Sequence, residues 1–481
     1  MDNAADYYED RLVLAFTVCS IVWALFGMAA GLYAAAELVW PRLNFGVPEL
    51  SFGRLRTVHT NAVLFGFGVS ALMATSIYSV QRTCHTRLFA PEFAWYVFIG
   101  WQLTIFFGIA GIALGATGGK EYAEMEWPYD VLITVVWVAY AVVFFGTIAT
   151  RKIHAIYISN WFYGAFIIVV AMLHIVNNLA VPVDLFKSYS LYAGAQDAIV
   201  QWWYGHNAVG FLLTGGFLGM MYYFLPKQAE RPIWSYRLSV VAFWAFTYSY
   251  IWAGPHHLHF NSIPEWVQSL AMVMSLVLLA PSWATMINGI MTVAGAWRRL
   301  REDPALKFIV LALAFYGLAT FEGPMMAIRS VNIISHFTEW TIGHVHSGAL
   351  GWNALITYGT FYFLIPRMCG CDLYSVRWAN WHFYLALAGT MLYILSMWGA
   401  GVTQGLLLLS LDEYGIVKYS FTDVMVAMRP YYQLRLIGGA LFFAGTLLMG
   451  LNLYRTIEAG ELVRVRPPRP GTGGVLAGAS A

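Results

Sequence analysis

The stretch "WAGPHHLHF", residues 252–260, puts His256, His257 and His259 at the end of a long apolar run. His59, His206 and the "GHVHSG" pair His344 and His346 also sit in apolar surroundings. A single histidine near a helix end is more often a satisfied polar residue than a ligand. Six at a common depth, His59, His206, His256, His257, His344 and His346, point further. Imidazoles held in lipid need partners, and neutral imidazole is a favoured ligand for iron and copper. Residues i and i+2 on a helix lie about 200° apart. His344 and His346 therefore face opposite ways and cannot share one compact centre, but each can serve a different one. A helix between two flat macrocycles such as haems has this pattern, with Gly343 and Gly348 allowing close approach. His256 and His257 follow Pro255, which distorts the helix, so both rings can turn to one ion. With His206 they make a three-histidine site with an open position, suited to a metal that binds a small molecule. His259 is assigned to solvent or to a cofactor carboxylate.

The elements that position these residues follow from composition. Of 481 residues, 59% are hydrophobic and 11% charged, with mean hydropathy +0.62. A soluble domain carries about 25% charged residues, so this is a membrane protein. The net charge of +2 implies no nucleic-acid or strongly acidic partner. At roughly 20 apolar residues per crossing, twelve runs emerge: 12–38, 57–80, 93–116, 128–149, 156–181, 199–225, 234–254, 265–294, 306–328, 338–365, 378–403 and 431–454. The first follows "MDNAADYYED", which lacks the basic flank of a signal peptide. The N-terminus, the even-numbered gaps and the C-terminus hold 18 of the 27 Lys and Arg residues, so both termini are expected in the cytoplasm. On this topology the six histidines fall in the outer part of the membrane, on the second, sixth, seventh and tenth runs.

The expected fold is an all-α membrane protein with one helical domain over 1–460 and a disordered cytoplasmic tail over 461–481. No internal repeat is evident. Cys84, Cys369 and Cys371 face the cytoplasm and Cys19 lies within the first helix, so no disulfide is expected. The C-x-C pair has no second pair beside it, and no C-x-x-C-H is present to attach a c-type haem. The longest outer loop, 404–430, is a candidate partner contact.

One histidine on the second helix, one on the sixth, an adjacent pair on the seventh and H-x-H on the tenth resemble the catalytic subunit of the haem–copper oxidase superfamily. The resemblance covers nearly the whole chain. It implies that His59 and His346 are axial ligands of a low-spin haem b. It makes His344 the proximal ligand of a high-spin haem b3, and His206, His256 and His257 the ligands of the copper called CuB. Mitochondrial-type enzymes carry a tyrosine four residues after the sixth-helix histidine, where this chain has Gly210. Tyr250, in "YSYIWAGPHH", stands instead before the histidine pair. That relocation, with "WWYGHNAVGFLLT", "FEGPMM" and "GHVHSGALGWN", resembles the cbb3-type cytochrome c oxidases, whose tyrosine is linked covalently to the sixth-helix ligand. In isolation Tyr250 would be interfacial packing.

The implied reaction is four-electron reduction of O2 to water with proton uptake and pumping. Tyr236, Ser239, Phe243, Thr247 and Tyr250 share one helix face by spacing, and the polar ones are candidates for a proton path. Tyr223, Asn288 and Tyr316 are looser candidates. The alternative is that these hydroxyls bond their own backbone. Glu322, an intramembrane carboxyl, is a functional candidate by default. It is expected on the free ring nitrogen of His344, or as the partner of another buried donor. Arg56 and Arg435 are candidates for the haem propionates, while Arg54 reads as surface. His85, His154, His174, His336 and His382 are read as structural.

The resemblance further implies membrane-anchored mono-haem and dihaem cytochrome c subunits as electron donors, and a bacterial inner membrane location. It also implies calcium near the propionates, without ligands legible here. Nitric oxide reductase shares the six histidines but uses non-haem iron, needs an added glutamate near that iron and lacks the tyrosine. A non-catalytic b-type cytochrome would use His59 and His346 and leave four histidines idle. A multi-helix transporter would hold no haem.

Overall fold

The apolar runs become helices whose ends carry ordinary stop and start signals. Asp303 accepts from the backbone N–H of Ala305 ahead of Pro304. Ser420 and Asp423 form a capping box. Gly115 and Gly370 take left-handed conformations at helix C-termini. The computed structural model describes residues 7–468. It contains twelve long helices: α1 (Asp10–Val39), α2 (Phe52–Thr83), α3 (Pro91–Leu114), α4 (Trp127–Ala149), α5 (Ile158–Asn177), α6 (Gly194–Ala229), α7 (Tyr236–Ala253), α8 (Glu265–Val293), α9 (Pro304–Ala327), α10 (339–369), α11 (Val376–Leu408) and α12 (Phe421–Ala459). Ten are long and apolar enough to cross a membrane by length and composition. The two that fall short, α7 and α10, carry Tyr250 and the H-x-H pair. A small antiparallel hairpin, β1 (Ala180–Asp184) with β2 (Lys187–Ser190), follows α5.

The helices form a ring closed by α12 packing back on α1. Three of them are interior. The most apolar windows of α2 and α6 are 83% and 89% buried, against 33–61% for the other eight spans, and residues 351–365 of α10 are buried without a break. Each interior helix contains one π-helical stretch, at Ala62–Val69, Val209–Gly216 and Ser347–Ala354. These begin just past His59, His206 and His346. A wide turn re-aims the side chains around it and is frequent at functional sites.

An internal repeat does exist, contrary to the expectation from sequence. Ser235 N–H donates to Asn288 Oδ1 (2.9 Å), Asn288 Nδ2 donates back to Ser235 O (2.9 Å), and Trp234 N–H donates to Thr292 Oγ1 (3.0 Å). The same clamp recurs one unit later. Ser375 N–H donates to Asn452 Oδ1 (3.0 Å), Asn452 Nδ2 to Ser375 O (2.9 Å), and Tyr374 N–H to Thr456 Oγ1 (3.0 Å). A reduced form joins Phe89 N–H to Thr147 Oγ1 (3.0 Å). A helix–loop–helix corner buried near the membrane boundary has few waters to satisfy its backbone, so an Asn-x-x-x-Thr on the neighbouring helix does so.

The two described chain ends lie on the same side, joined where Tyr8 N–H donates to Val465 O (2.9 Å). Residues 461–468 carry no helix and run along the α10–α11 corner, with Glu461 and Val463 N–H bonded to Cys369 O and Met368 O (3.0 and 2.8 Å). The rest of the expected tail lies outside the described residues. Four free cysteines are present among the described residues, as expected.

Candidate metal centres and proton route

Pro255 opens a tight 3-10 turn, Gly254–Leu258, at the end of α7. Adjacent residues there differ by about 120° rather than 100°, yet His256 and His257 both reach His206. The ring nitrogens of the three lie within 4.8 Å of one another. Two glycines make this possible. A Cβ at Gly254 would overlap the Trp202 carbonyl on α6, and a Cβ at Gly210 would overlap the Tyr250 ring. The turn after α7 thereby lies directly on the α6 backbone, and the Tyr250 ring directly on α6 at Gly210. Trp202 stacks on His257 with ring centroids 4.0 Å apart.

The donor atoms are set by what holds the other ring nitrogen. Ser275 Oγ donates to Ala271 O (2.7 Å), so it accepts from His256 Nδ1–H (2.7 Å) and leaves His256 Nε2 a free lone pair. His206 Nε2 is buried without a partner. Across from the triad, His344 Nδ1 lies 3.2 Å from Glu322 Oε2. Glu322 is buried and also accepts from Trp340 Nε1 (2.8 Å) and Ser347 Oγ (3.3 Å). Both expected roles of that carboxylate, ligand partner and acceptor for another buried donor, thus coexist. His59 Nδ1–H donates to Gly27 O (2.7 Å), and a Cβ at Gly31 would come within 2.5 Å of its ring. His346 Nδ1–H donates to Ile342 O (2.8 Å), and its Nε2 faces Tyr393 Oη at 3.2 Å. His59, His256, His344 and His346 therefore have Nδ1 engaged. Gly348 faces open space, as a flat ligand requires, whereas Gly343 packs on Trp398.

Tyr250 lies beside His206, ring centroids 4.9 Å apart and planes 27° apart. Of the α7 stripe, Ser239 and Phe243 share its buried face and Tyr236 and Thr247 do not. The buried face runs through Ser239, Ala242, Phe243, Phe246, Ser249, Tyr250 and Ala253. Tyr236 is 42% exposed, and Thr247 turns its hydroxyl back to Phe243 O (2.9 Å). Ser239 accepts from Asn288 Nδ2 (2.9 Å) and donates to Ser235 O (2.9 Å). Asn288 is first of all a corner clamp, as its counterpart Asn452 shows. Tyr223 points away, with its ring 6.0 Å from Tyr78 on α2.

Sequence reasoning missed its neighbour. Tyr222 Oη faces Ser239, Thr285 and Asn288 with no direct bond. Tyr316 Oη and Ser282 Oγ are likewise buried and unpartnered, near one another. A row of unpaired buried hydroxyls is room for water. The i+4 series Thr214, Leu218, Tyr222 and the i+3 series Ser282, Thr285, Asn288 were the available signals.

Arg435 is largely buried, 3.3 Å from Glu339, with its Nε unpaired. It is within electrostatic reach of both His59 and His346. Arg56 is half exposed and pairs with Glu121 at 3.4 Å. His259 is not in solvent. It is buried, and its Nε2 is bonded to Ala327 O (2.8 Å).

Residues 11–441 match the family described as Cytochrome C and Quinol oxidase polypeptide I. The chain is 60% identical to the Cbb3-type cytochrome c oxidase subunit CcoN1 of Stutzerimonas stutzeri, over 94% of this chain and 96% of that one. It is 53% identical to cytochrome c oxidase subunit 1 of Rhodobacter capsulatus, over 94% and 86%. A heme-copper terminal oxidase dimer solved by cryo-EM superposes with a TM-score of 0.80 at 15% identity, over 98% of this chain and 87% of that one, which shows the fold. The chain belongs to the cytochrome c and quinol oxidase polypeptide I family, as the membrane-embedded catalytic subunit of a cbb3-type cytochrome c oxidase.

Proposed function

We propose that this chain reduces O2 to water between a copper at His206, His256 and His257 and a high-spin haem b3 iron at His344, with a low-spin haem b at His59 and His346. The observation that carries the reading is the convergence of the three imidazoles, one of them with a buried, unpartnered nitrogen. The residues fit the groups: free Nε2 lone pairs on His59, His256 and His344, an open space at Gly348, and a buried Arg435 with an unpaired Nε. When bound, the haems and copper supply electrons and a place for oxygen to bind.

The chain's own residues position and tune. Glu322 accepts from His344 Nδ1–H and makes that imidazole a stronger donor. Tyr250 holds a phenolic proton beside His206, fixed there because Gly210 offers no side chain to displace it. Arg435, and Arg56 more weakly because it is exposed, offer guanidinium groups to the haem carboxylates. Tyr222, Ser239, Ser282 and Tyr316 hold the waters that bring protons to Tyr250 from the side of the chain ends. The bias of Lys and Arg in the loops supports that side as the cytoplasm. The relatives support a bacterial inner membrane. Electrons come from mono-haem and dihaem c-type cytochrome subunits, a reading supported by the similarity to the cbb3-type subunit. Calcium beside the propionates belongs to the same reading.

Four substitutions test it. Glu322→Gln lowers the iron–histidine stretching frequency of the ferrous high-spin haem by resonance Raman; an unmoved band removes the contact. Tyr222→Phe slows turnover by at least about tenfold, ~1.4 kcal/mol on the barrier, while Tyr223→Phe leaves it unchanged; equal effects would dissolve the route. Gly210→Ala displaces Tyr250 and cuts oxygen reduction by about 100-fold, the scale of a ~1 Å misplacement, with the low-spin haem spectrum retained. Normal turnover in that variant would take Tyr250 out of the reaction.

A further inference from the structure

On the side of the chain ends a basin of about 980 Å³ opens between the ends of α6, α9, α10 and α11. Its walls carry Arg298, Glu302, Asp303 and Asp372, and Tyr362 on α10 reaches its lining. Tyr362 Oη lies 3.0 Å from His382 Nδ1 on α11. His382 is fully buried and its Nε2 has no partner. If Tyr362 donates, the Nε2–H lacks an acceptor; if Nδ1 carries the proton, the Nε2 lone pair is bare. The ring sits among Phe308 of α9 (centroids 4.6 Å apart), Tyr358 of α10 (5.0 Å) and the backbone of Gly445 on α12.

The charged groups on the packed helices are already engaged elsewhere. On α9, Lys307 bonds Asn380 (2.7 Å), and Asp303 before it accepts from Gln228. On α10, Arg367 donates to Phe363 O and Gln228 (3.0 and 3.2 Å). From α12 come Thr446 and Asn452, which are neutral. Among the described residues, His382 is thus a buried base hydrogen-bonded to a tyrosine that lines the basin, and without a fixed counter-charge. From it α11 climbs about 16 Å at 1.5 Å per residue to Tyr393. It passes Thr390, whose buried hydroxyl is also unpartnered, and Tyr393 Oη meets His346 Nε2 at 3.2 Å.

We propose that Tyr362 and His382 form a proton-accessible side branch that takes up one proton from this basin when the low-spin haem is reduced. This rests on the reading that His59 and His346 hold that haem. The haem iron gains one electron from a c-type cytochrome. His382 Nδ1 gains the proton of the Tyr362 hydroxyl, and Tyr362 recovers one from basin water, so the neutral imidazole becomes an imidazolium. An electron added in a low-dielectric interior draws a positive charge to the nearest base that can accept one. The branch ends at His382, so it compensates charge and does not feed oxygen chemistry.

The test uses the assembled, purified complex with carbon monoxide on the high-spin site. The midpoint potential of the low-spin haem is measured against pH, together with proton uptake on its reduction and infrared difference spectra with isotope-labelled histidine. The wild type shows a potential that falls with pH and a histidine signal. His382→Phe loses at least half of that slope and the signal, with near-normal oxygen turnover. If His382→Phe does not assemble, Tyr362→Phe is read instead and slows the uptake several-fold. An unchanged slope and uptake in the assembled variant overturns the proposal. A wild-type spectrum without a bis-histidine low-spin haem overturns the reading of His59 and His346 instead.

Discussion

The constraint on which the site depends is the close approach of α6 and α7. Gly254 lets the turn after α7 meet the α6 backbone, and Gly210 leaves room for the Tyr250 ring; a side chain at either would displace what lies against it. Only at that distance do His256 and His257 reach His206, and only then does Tyr250 lie against His206. Buried imidazoles without a metal would be costly polar groups in an apolar interior. The protein therefore spends close packing, a proline-led turn and the Ser275 acceptor on bringing them together. None of these would be needed by a bundle that only spanned the membrane.

The rest of the architecture repeats one solution. Three interior helices carry His59, His206 and the His344–His346 pair beside a π-helical stretch, and outer helices wrap them. The Asn-x-x-x-Thr clamp that ties a corner to its neighbour occurs twice in full and once reduced. This recurrence separates fold from function. Asn288 does what Asn452 does, so its first role is to hold a corner. Tyr222 and Tyr316, by contrast, have buried hydroxyls that bond nothing nearby, and the proposed proton route rests on them. Similarly Glu322 satisfies Trp340, Ser347 and His344 at once, so the ligand's orientation and the local packing are fixed by one carboxylate.

Much of this was legible in the chain. Twelve apolar runs exceed the length a membrane demands, and the helices found extend only a few residues past most of them, as with 57–80 inside Phe52–Thr83. The six histidines were legible because lipid tolerates so few polar rings and because i, i+2 spacing dictates opposed faces. Other features were not. The α7 stripe counted period correctly but started from Tyr236, outside the bundle, so Tyr236 and Thr247 were drawn in while Ser249 was passed over. Tyr222 is not legible from spacing alone, because one residue is about 100° of rotation and the π stretch upstream shifts the phase. The repeat was invisible because it lives in a few clamp residues. His259 looked solvated because a turn after proline usually faces water, whereas here the α9 end covers it.

The central claim is that one copper sits on His206, His256 and His257 beside two haems of this chain. The most direct measurement is metal and haem content per catalytic chain in the purified complex, corrected for the c-type haems of the partner subunits. The account predicts two b-type haems and one copper. Two haems with a third iron and no copper would contradict it, place a non-haem iron on the triad, and make the site that of a nitric oxide reductase.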